Sequence, residues 1–255
     1  MTDASQKLVD GDGKDRVAEL EMRKRSRRSF LVAGISAAAG ITAFNWLRTR
    51  PDEGGVPWPL RHVLELNERF SRAYFSGGHL ARTLREDLAV MPRENGDVGL
   101  NQAFDVHSWS LKVIDEPARK AYEFTLPDIQ SLSRVEMVTE LHCIEGWSQV
   151  VHWAGARFSS LIDKIGADSR YVSLETPNSV YYVGLDIESA AHPQTLLCYE
   201  INGRPLAPEH GAPLRLATPI KYGIKNIKRI GTIHFTNTRP ADYWADRGYD
   251  WYAGL

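Results

Sequence analysis

Residues 141–155 read Leu141-His142-Cys143-Ile144-Glu145-Gly146-Trp147-Ser148-Gln149-Val150-Val151-His152-Trp153-Ala154-Gly155. Just upstream, Val135, Met137, Thr139 and Leu141 alternate, which predicts a strand running straight into Cys143. One cysteine thus leaves a strand end and enters a loop with a glycine and two tryptophans, the kind of place where catalytic loops are held. Three chemistries compete for it. A zinc site could draw on His142, Cys143 and His152, but a structural site needs four ligands and the chain has no Cys-x-x-Cys. A Cys–His nucleophile is a second reading, and a plain buried cysteine a third. The spacing alone leaves all three open. The chain's other cysteine, Cys198, sits in the apolar run Thr195-Leu196-Leu197-Cys198-Tyr199 and reads as a buried strand residue; two thiols make no disulfide framework.

Working outward, Trp109, Leu111 and Val113 alternate before the turn Asp115-Glu116-Pro117. Residues 126–132 read as a short helix start, with Asp128 near its positive end. Phe158, Leu161, Ile162 and Ile165 share a helical face, and Gly166 stands where a C-cap is expected. Strands are predicted at 171–174, 180–185, 196–201, 214–217 and 227–235, with Asn202-Gly203 as a hairpin signal. Residues 60–75 are mixed and partly helical, and 82–105 irregular. No internal repeat and no Gly-rich phosphate loop is present. The pattern predicts an α+β domain of many short strands and few helices. At 255 residues, 43% hydrophobic, the chain suits one compact domain with a short extension. A net charge of -1 argues against a nucleic-acid binder.

That extension is predicted to be an address. Residues 1–22 are polar, carry Gly11 and Gly13, and are expected to be disordered. Residues 23–50 begin Arg23-Lys24-Arg25-Ser26-Arg27-Arg28-Ser29-Phe30-Leu31, which matches a twin-arginine export signal. An apolar stretch of eighteen residues, 30–47, follows and is closed by Arg48, Arg50 and Pro51. At about 1.5 Å per residue it nearly crosses a hydrocarbon layer of roughly 30 Å. No small-residue cleavage site follows it, so an uncleaved anchor is favoured, with the more cationic N-terminal side in the cytoplasm and the body at the periplasmic face. Residues 51–59 read as a Gly/Pro linker and 60–255 as the functional domain.

Several ordered blocks carry a resemblance: Cys143-Ile144-Glu145-Gly146-Trp147 with Trp153-Ala154-Gly155, then Glu175-Thr176, Asn202-Gly203-Arg204-Pro205-Leu206, His210-Gly211-Ala212-Pro213-Leu214-Arg215, Lys221-Tyr222-Gly223, Lys225-Asn226-Ile227-Lys228, Tyr243-Trp244 and Gly248-Tyr249. Together they resemble the sulfite-oxidase superfamily of molybdopterin-dependent oxidoreductases, in particular its bacterial methionine-sulfoxide branch, over roughly residues 60–250. The resemblance implies a single sulfite-oxidase-type domain and a molybdenum–molybdopterin cofactor, with Cys143 as the thiolate on the metal. Soft sulfur suits that metal, and the pterin supplies the other sulfurs. It further implies that Glu145 and Trp147 line the pocket mouth. Lys228 and Arg215 would meet the pterin phosphate, with the turn at Asn226-Ile227 adding amides. His210 and Thr176 would hydrogen-bond the pterin or its phosphate, and Asn67 would be the early asparagine on the cofactor. The methionine-sulfoxide branch has asparagine where this chain has His210.

The implied reaction is two-electron oxygen-atom transfer on a small sulfur compound, a sulfoxide or sulfite. No Cys-x-x-Cys-His is present for a c-type haem, so the resemblance implies a separate redox partner, expected to be a membrane haem or quinone-linked subunit. The dimerisation domain of the larger sulfite oxidases is missing, which implies a monomeric catalytic subunit. The aromatic C-terminus, Tyr249-Asp250-Trp251-Tyr252, is read either as a docking surface for that partner or as a segment packed back on the body. The rival functional class is a cofactor-free, membrane-anchored binding protein that keeps the fold.

Overall fold

A computed structural model describes residues 3–100 and 104–255, with side chains from residue 22 onward. It divides into two units, residues 1–52 with 57–59, and residues 53–56 with 60–255. The first is dominated by one helix, α1 (Asp3–Arg48). Its Met22–Arg48 portion is long and apolar enough to cross a membrane. Disorder was expected up to residue 22, yet the helix begins at Asp3. The difference has a local cause. Residues 14–25 are almost all Lys, Arg, Ala, Glu, Leu and Met, good helix formers that outweigh Gly11 and Gly13.

The next helix, α2 (Trp58–Tyr74), belongs to the second unit from Leu60 on and starts inside the stretch read as a linker, because Pro59 is tolerated in a first helical turn. Two sheets follow. One has the order β2-β1-β10-β5-β6, from β1 (Leu111–Asp115), β2 (Lys120–Phe124), β5 (Tyr171–Glu175), β6 (Tyr182–Asp186) and β10 (Thr232–Thr236); β10 runs parallel to β1 and the other pairs are antiparallel. The second is antiparallel, in the order β8-β7-β4-β3, from β3 (Arg134–His142), β4 (Ser148–Arg157), β7 (Leu196–Ile201) and β8 (Arg204–Pro205), with β9 (Arg215–Ala217) also on β7. Between them lies the main core, including Leu111, Val113, Phe158, Leu161, Leu174, Leu197, Leu216, Ile233 and Phe235. A smaller cluster around Met137, Trp153, Cys198 and Ile201 covers the other face of the second sheet.

Local signals explain the short elements. Thr125 caps α3 (Leu126–Gln130), accepting from the Asp128 N–H while the Asp128 carboxylate accepts from Thr125. Gly166 ends α4 (Phe158–Ile165) in the left-handed conformation. Gly155 sits at the register shift where β4 meets β7, and a Cβ there would collide with the Leu197 carbonyl oxygen. The strand predicted at 227–235 is shorter. Residues 227–231 leave the sheet because Arg229 has a positive φ of 50°, and Ile230 N–H turns to the Leu214 carbonyl instead.

The C-terminus packs back on the body. Trp251 and Tyr252 are buried, Tyr222 N–H donates to Ala253 O, and Leu255 N–H donates to Ile220 O. Of the expected docking surface only Tyr249 remains exposed, because the neighbouring rings complete a small aromatic cluster with Ala245 and Tyr171. Beneath it, Lys225 Nζ meets Asp242 Oδ2 at 2.6 Å and the Gly184 carbonyl at 2.9 Å, fully out of water. Burial pushes Lys225 down, and Asp242 opposes that push. Removing one partner strands a buried charge. Asp242→Ala is therefore expected to destabilise the protein by about 3–5 kcal/mol, read as a fall in the urea midpoint.

Candidate active site

The Cys143 loop closes the β3–β4 hairpin, whose last register pair is His142 with Ser148. Cys143 N–H donates to Trp147 O at 2.9 Å and Gly146 N–H to Cys143 O at 3.1 Å. Gly146 adopts φ +86°, a conformation L side chains resist, so the glycine lets the loop turn this tightly. Cys143 is half-buried and free. Its side chain faces a cavity of about 330 Å³ whose lining includes Asn95, Glu145, Trp147, Arg215, Asn226 and Lys228. Six of the residues singled out in the sequence thus meet in one place: Cys143, Glu145, Trp147, Arg215, Asn226 and Lys228.

Four others do not line it. Asn67 is exposed on α2. In its place the irregular segment before β1 delivers Asn95, whose Nδ2 lies 3.6 Å from Cys143 Sγ and 3.3 Å from Glu145 Oε2. The sequence signal for it was the Asn95-Gly96 dipeptide, a turn-former inside a stretch with no periodicity. Thr176 is buried, and its hydroxyl is engaged within its own turn, with Asn178 Oδ1 at 2.7 Å and Tyr181 N–H at 3.1 Å. Ile227 belongs to the main core. His210 is buried beside the cavity; its carbonyl accepts from Arg215 at 3.1 Å while its Nδ1 has no partner. Burial, then the neighbouring Arg215 and Lys228 cations, hold the imidazole below its ordinary range and so neutral.

The electrostatics are lopsided. Arg215 is buried, donates to the carbonyls of His210, Leu216 and Asn226, and lies 5.0 Å from the centre of the Trp153 ring. Burial pulls it down to about 10. Lys228 Nζ donates to the Asn95 and Gly96 carbonyls at 2.9 Å each. Burial, then Arg215, pull it down to about 8; Glu94, Asp97 and Glu209 oppose this. Among the described residues neither cation has an ion-pair partner. Glu145 Oε2 also accepts from Trp147 Nε1 at 3.1 Å, which fixes the carboxylate beside the thiol. Sequence reading missed Tyr181, Trp244 and Tyr249, which complete an aromatic rim with Trp147. Their periodicity is no different from that of core aromatics, and only the return of the C-terminal segment brings them here.

The profile of the oxidoreductase molybdopterin-binding domain family matches residues 98–244. The chain belongs to this family. It is a molybdopterin-binding oxidoreductase. An Azospira oryzae protein provisionally named protein-methionine-sulfoxide reductase subunit YedZ1 is 29% identical over 89% of this chain and 86% of its own length. The protein-methionine-sulfoxide reductase catalytic subunits MsrP of Xanthomonas campestris and Campylobacter jejuni are 35% and 31% identical, over 54% and 62% of this chain. Those matches span only 48% and 60% of the two relatives. Among solved structures, the sulfane dehydrogenase SoxCD of Paracoccus pantotrophus has a TM-score of 0.49 at 17% identity, over 54% of this chain and 40% of that one.

The cavity fits the family's cofactor on its own chemistry. Among the described residues no group of three or more His, Cys, Asp or Glu could hold a metal ion. A metal at Cys143 would therefore need its remaining donors from a bound group, as a dithiolene provides. Two cations with no ion-pair contact among the described residues and an unpartnered imidazole nitrogen would offer the sites a phosphate needs. Hydrogen bonds to charged groups contribute roughly 1.5–3 kcal/mol. Lys228→Met is accordingly expected to weaken inorganic phosphate binding to the cofactor-free protein about ten- to a hundredfold by calorimetry. In the unmutated protein that binding weakens as pH rises through about 8, where Lys228 loses its charge, and the variant loses the pH step.

Proposed function

We propose that this chain reduces sulfoxides by two-electron oxygen-atom transfer, with methionine sulfoxide, the substrate named for its relatives, as the substrate class. The observation that carries this reading is the placement of the Cys143 thiol in an aromatic-rimmed cavity beside Arg215 and Lys228. When bound, the molybdenum cofactor supplies the oxygen-atom exchange: two electrons and two protons convert a sulfoxide to a thioether and water. Cys143 holds the metal as its thiolate. Lys228, Arg215 and the main chain at Asn226-Ile227 hold the phosphate, with His210 beside it. Asn95 takes the role first given to Asn67. Thr176 braces the turn that positions Tyr181. Glu145, held by Asn95 and Trp147, lines the pocket mouth beside Cys143. Trp147, Trp244 and Tyr249 pack on the substrate's sulfur and methyl group, since sulfur favours aromatic contact, and they keep bulk water out.

The sequence at 23–31 supports export by the twin-arginine route, which carries proteins already folded around a cofactor. We read α1 as an uncleaved anchor holding the body at the periplasmic face of the cytoplasmic membrane. The names of the relatives, which call them subunits, support a separate redox partner, a membrane haem or quinone-linked protein that returns electrons after each turnover.

Cys143→Ser is expected to abolish sulfoxide reduction and molybdenum retention while leaving the circular-dichroism spectrum unchanged. Full activity with a reduced dye in this variant refutes the ligand assignment. Arg27→Lys combined with Arg28→Lys is expected to leave a folded, molybdenum-loaded protein in the cytoplasm, because an export receptor that reads a guanidinium pair does not accept lysine in its place. Normal amounts of the double variant on the periplasmic side rule the route out.

A further inference from the structure

The helix α2 is built inside out. Its body-facing side carries charge: Arg61 donates to the carbonyls of Glu53, Gly54, Ala245 and Tyr249, and Glu68 pairs with Arg239 at 2.7 Å and Arg72 at 3.4 Å. Both Arg61 and Glu68 are buried. Its outward side carries the apolar residues. Leu60, Val63, Leu66, Phe70 and Tyr74 recur at helical spacing and are 41, 53, 46, 66 and 70% exposed. In a helix docked by the hydrophobic effect the stripe faces the core. Here the body holds the helix by its charged side, so the stripe is left for another phase.

The sequence says which phase is within reach. Nine residues separate Arg48, the end of the apolar span, from Trp58, the start of α2. At roughly 3.3–3.6 Å per residue this connection cannot exceed about 35 Å. A helix tied in this way to a bilayer-spanning segment stays within about 35 Å of the membrane, so the headgroup layer is always within its reach. The side chains match that zone. The helix opens on Trp58 and closes on Tyr74, aromatic residues that favour the headgroup level, and Arg69 is an exposed cation on the same helix.

We propose that the Leu60–Tyr74 stripe docks into the lipid headgroup layer of the membrane, so that the body lies on the bilayer as well as being tethered to it. This rests on α1 remaining attached, as read above. The stripe sinks about 5–10 Å, the depth of an interfacial amphipathic helix. The two attachments fix the body in orientation as well as in distance, which a flexible tether alone does not.

The test uses the full-length, molybdenum-loaded protein in membranes of the expressing bacterium. Benzoylphenylalanine replaces Phe70 in one preparation and Lys120, exposed on β2, in another. After irradiation, intact mass is measured. The expected result is a mass gain of one phospholipid at position 70, at least several-fold above position 120. An adduct with a polypeptide, whether a second copy or another protein, overturns the proposal, as does an intact chain with no lipid adduct. A mature chain lacking residues 1–47 overturns the anchor and the docking together, and the same mass spectrum distinguishes that failure from the other two.

Discussion

A guanidinium removed from water, with no carboxylate in contact among the described residues, governs the cavity end of this molecule. Arg215 is compensated only by main-chain oxygens, from His210, Leu216 and Asn226, and by the face of Trp153. Such an arrangement stands only if all four donors of electron density are held at once. One side chain therefore couples β9, the turn at 210, the turn at 226 and the long strand β4. Two of these pieces, β9 and the turn at 226, supply lining residues of the cavity, Arg215 and Asn226. On the function proposed above, the residual positive charge that the carbonyls do not cancel would draw the cofactor's phosphate, so that stability and ligand chemistry would share a single cause.

The same logic recurs elsewhere with different outcomes. Lys225 is equally buried but has Asp242 at 2.6 Å, so it ends as a closed internal pair with nothing to offer a ligand. Arg61 is satisfied by four carbonyls and serves to clamp α2. Lys228 lies between these cases, bonded to two carbonyls and flanked by acids that do not touch it. These cations differ in how far their contacts cancel the charge: a carboxylate for Lys225, four carbonyls for Arg61, two carbonyls for Lys228.

The parts of the fold that could be read from the sequence were those with strict local periodicity: the strand into Cys143, the α4 helix with its Gly166 cap, the Asn202-Gly203 hairpin. The cavity residues Cys143, Glu145, Trp147, Arg215, Asn226 and Lys228 were found because they lie in short, ordered blocks. Asn95 was missed because it belongs to an aperiodic segment whose position is fixed by tertiary contacts, through Lys228 and Cys143, that leave no local trace. Asn67 came only from the resemblance, as the early asparagine on the cofactor, and the structure sets it exposed on α2, away from the cavity. The aromatic rim escaped for a third reason, since Trp244 and Tyr249 reach Tyr181 only after the chain has completed both sheets.

The contrast between the two cysteines has a practical side. Cys198 is fully buried in β7, and burial raises its thiol to about 11, so at neutral pH it is neither ionised nor reachable. Alkylating reagents applied to the folded protein therefore count Cys143 alone. On the ligand assignment proposed above, a Cys143 sulfur committed to the metal would be closed to them, and the stoichiometry of a simple maleimide label would then report how many molecules in a preparation carry their cofactor.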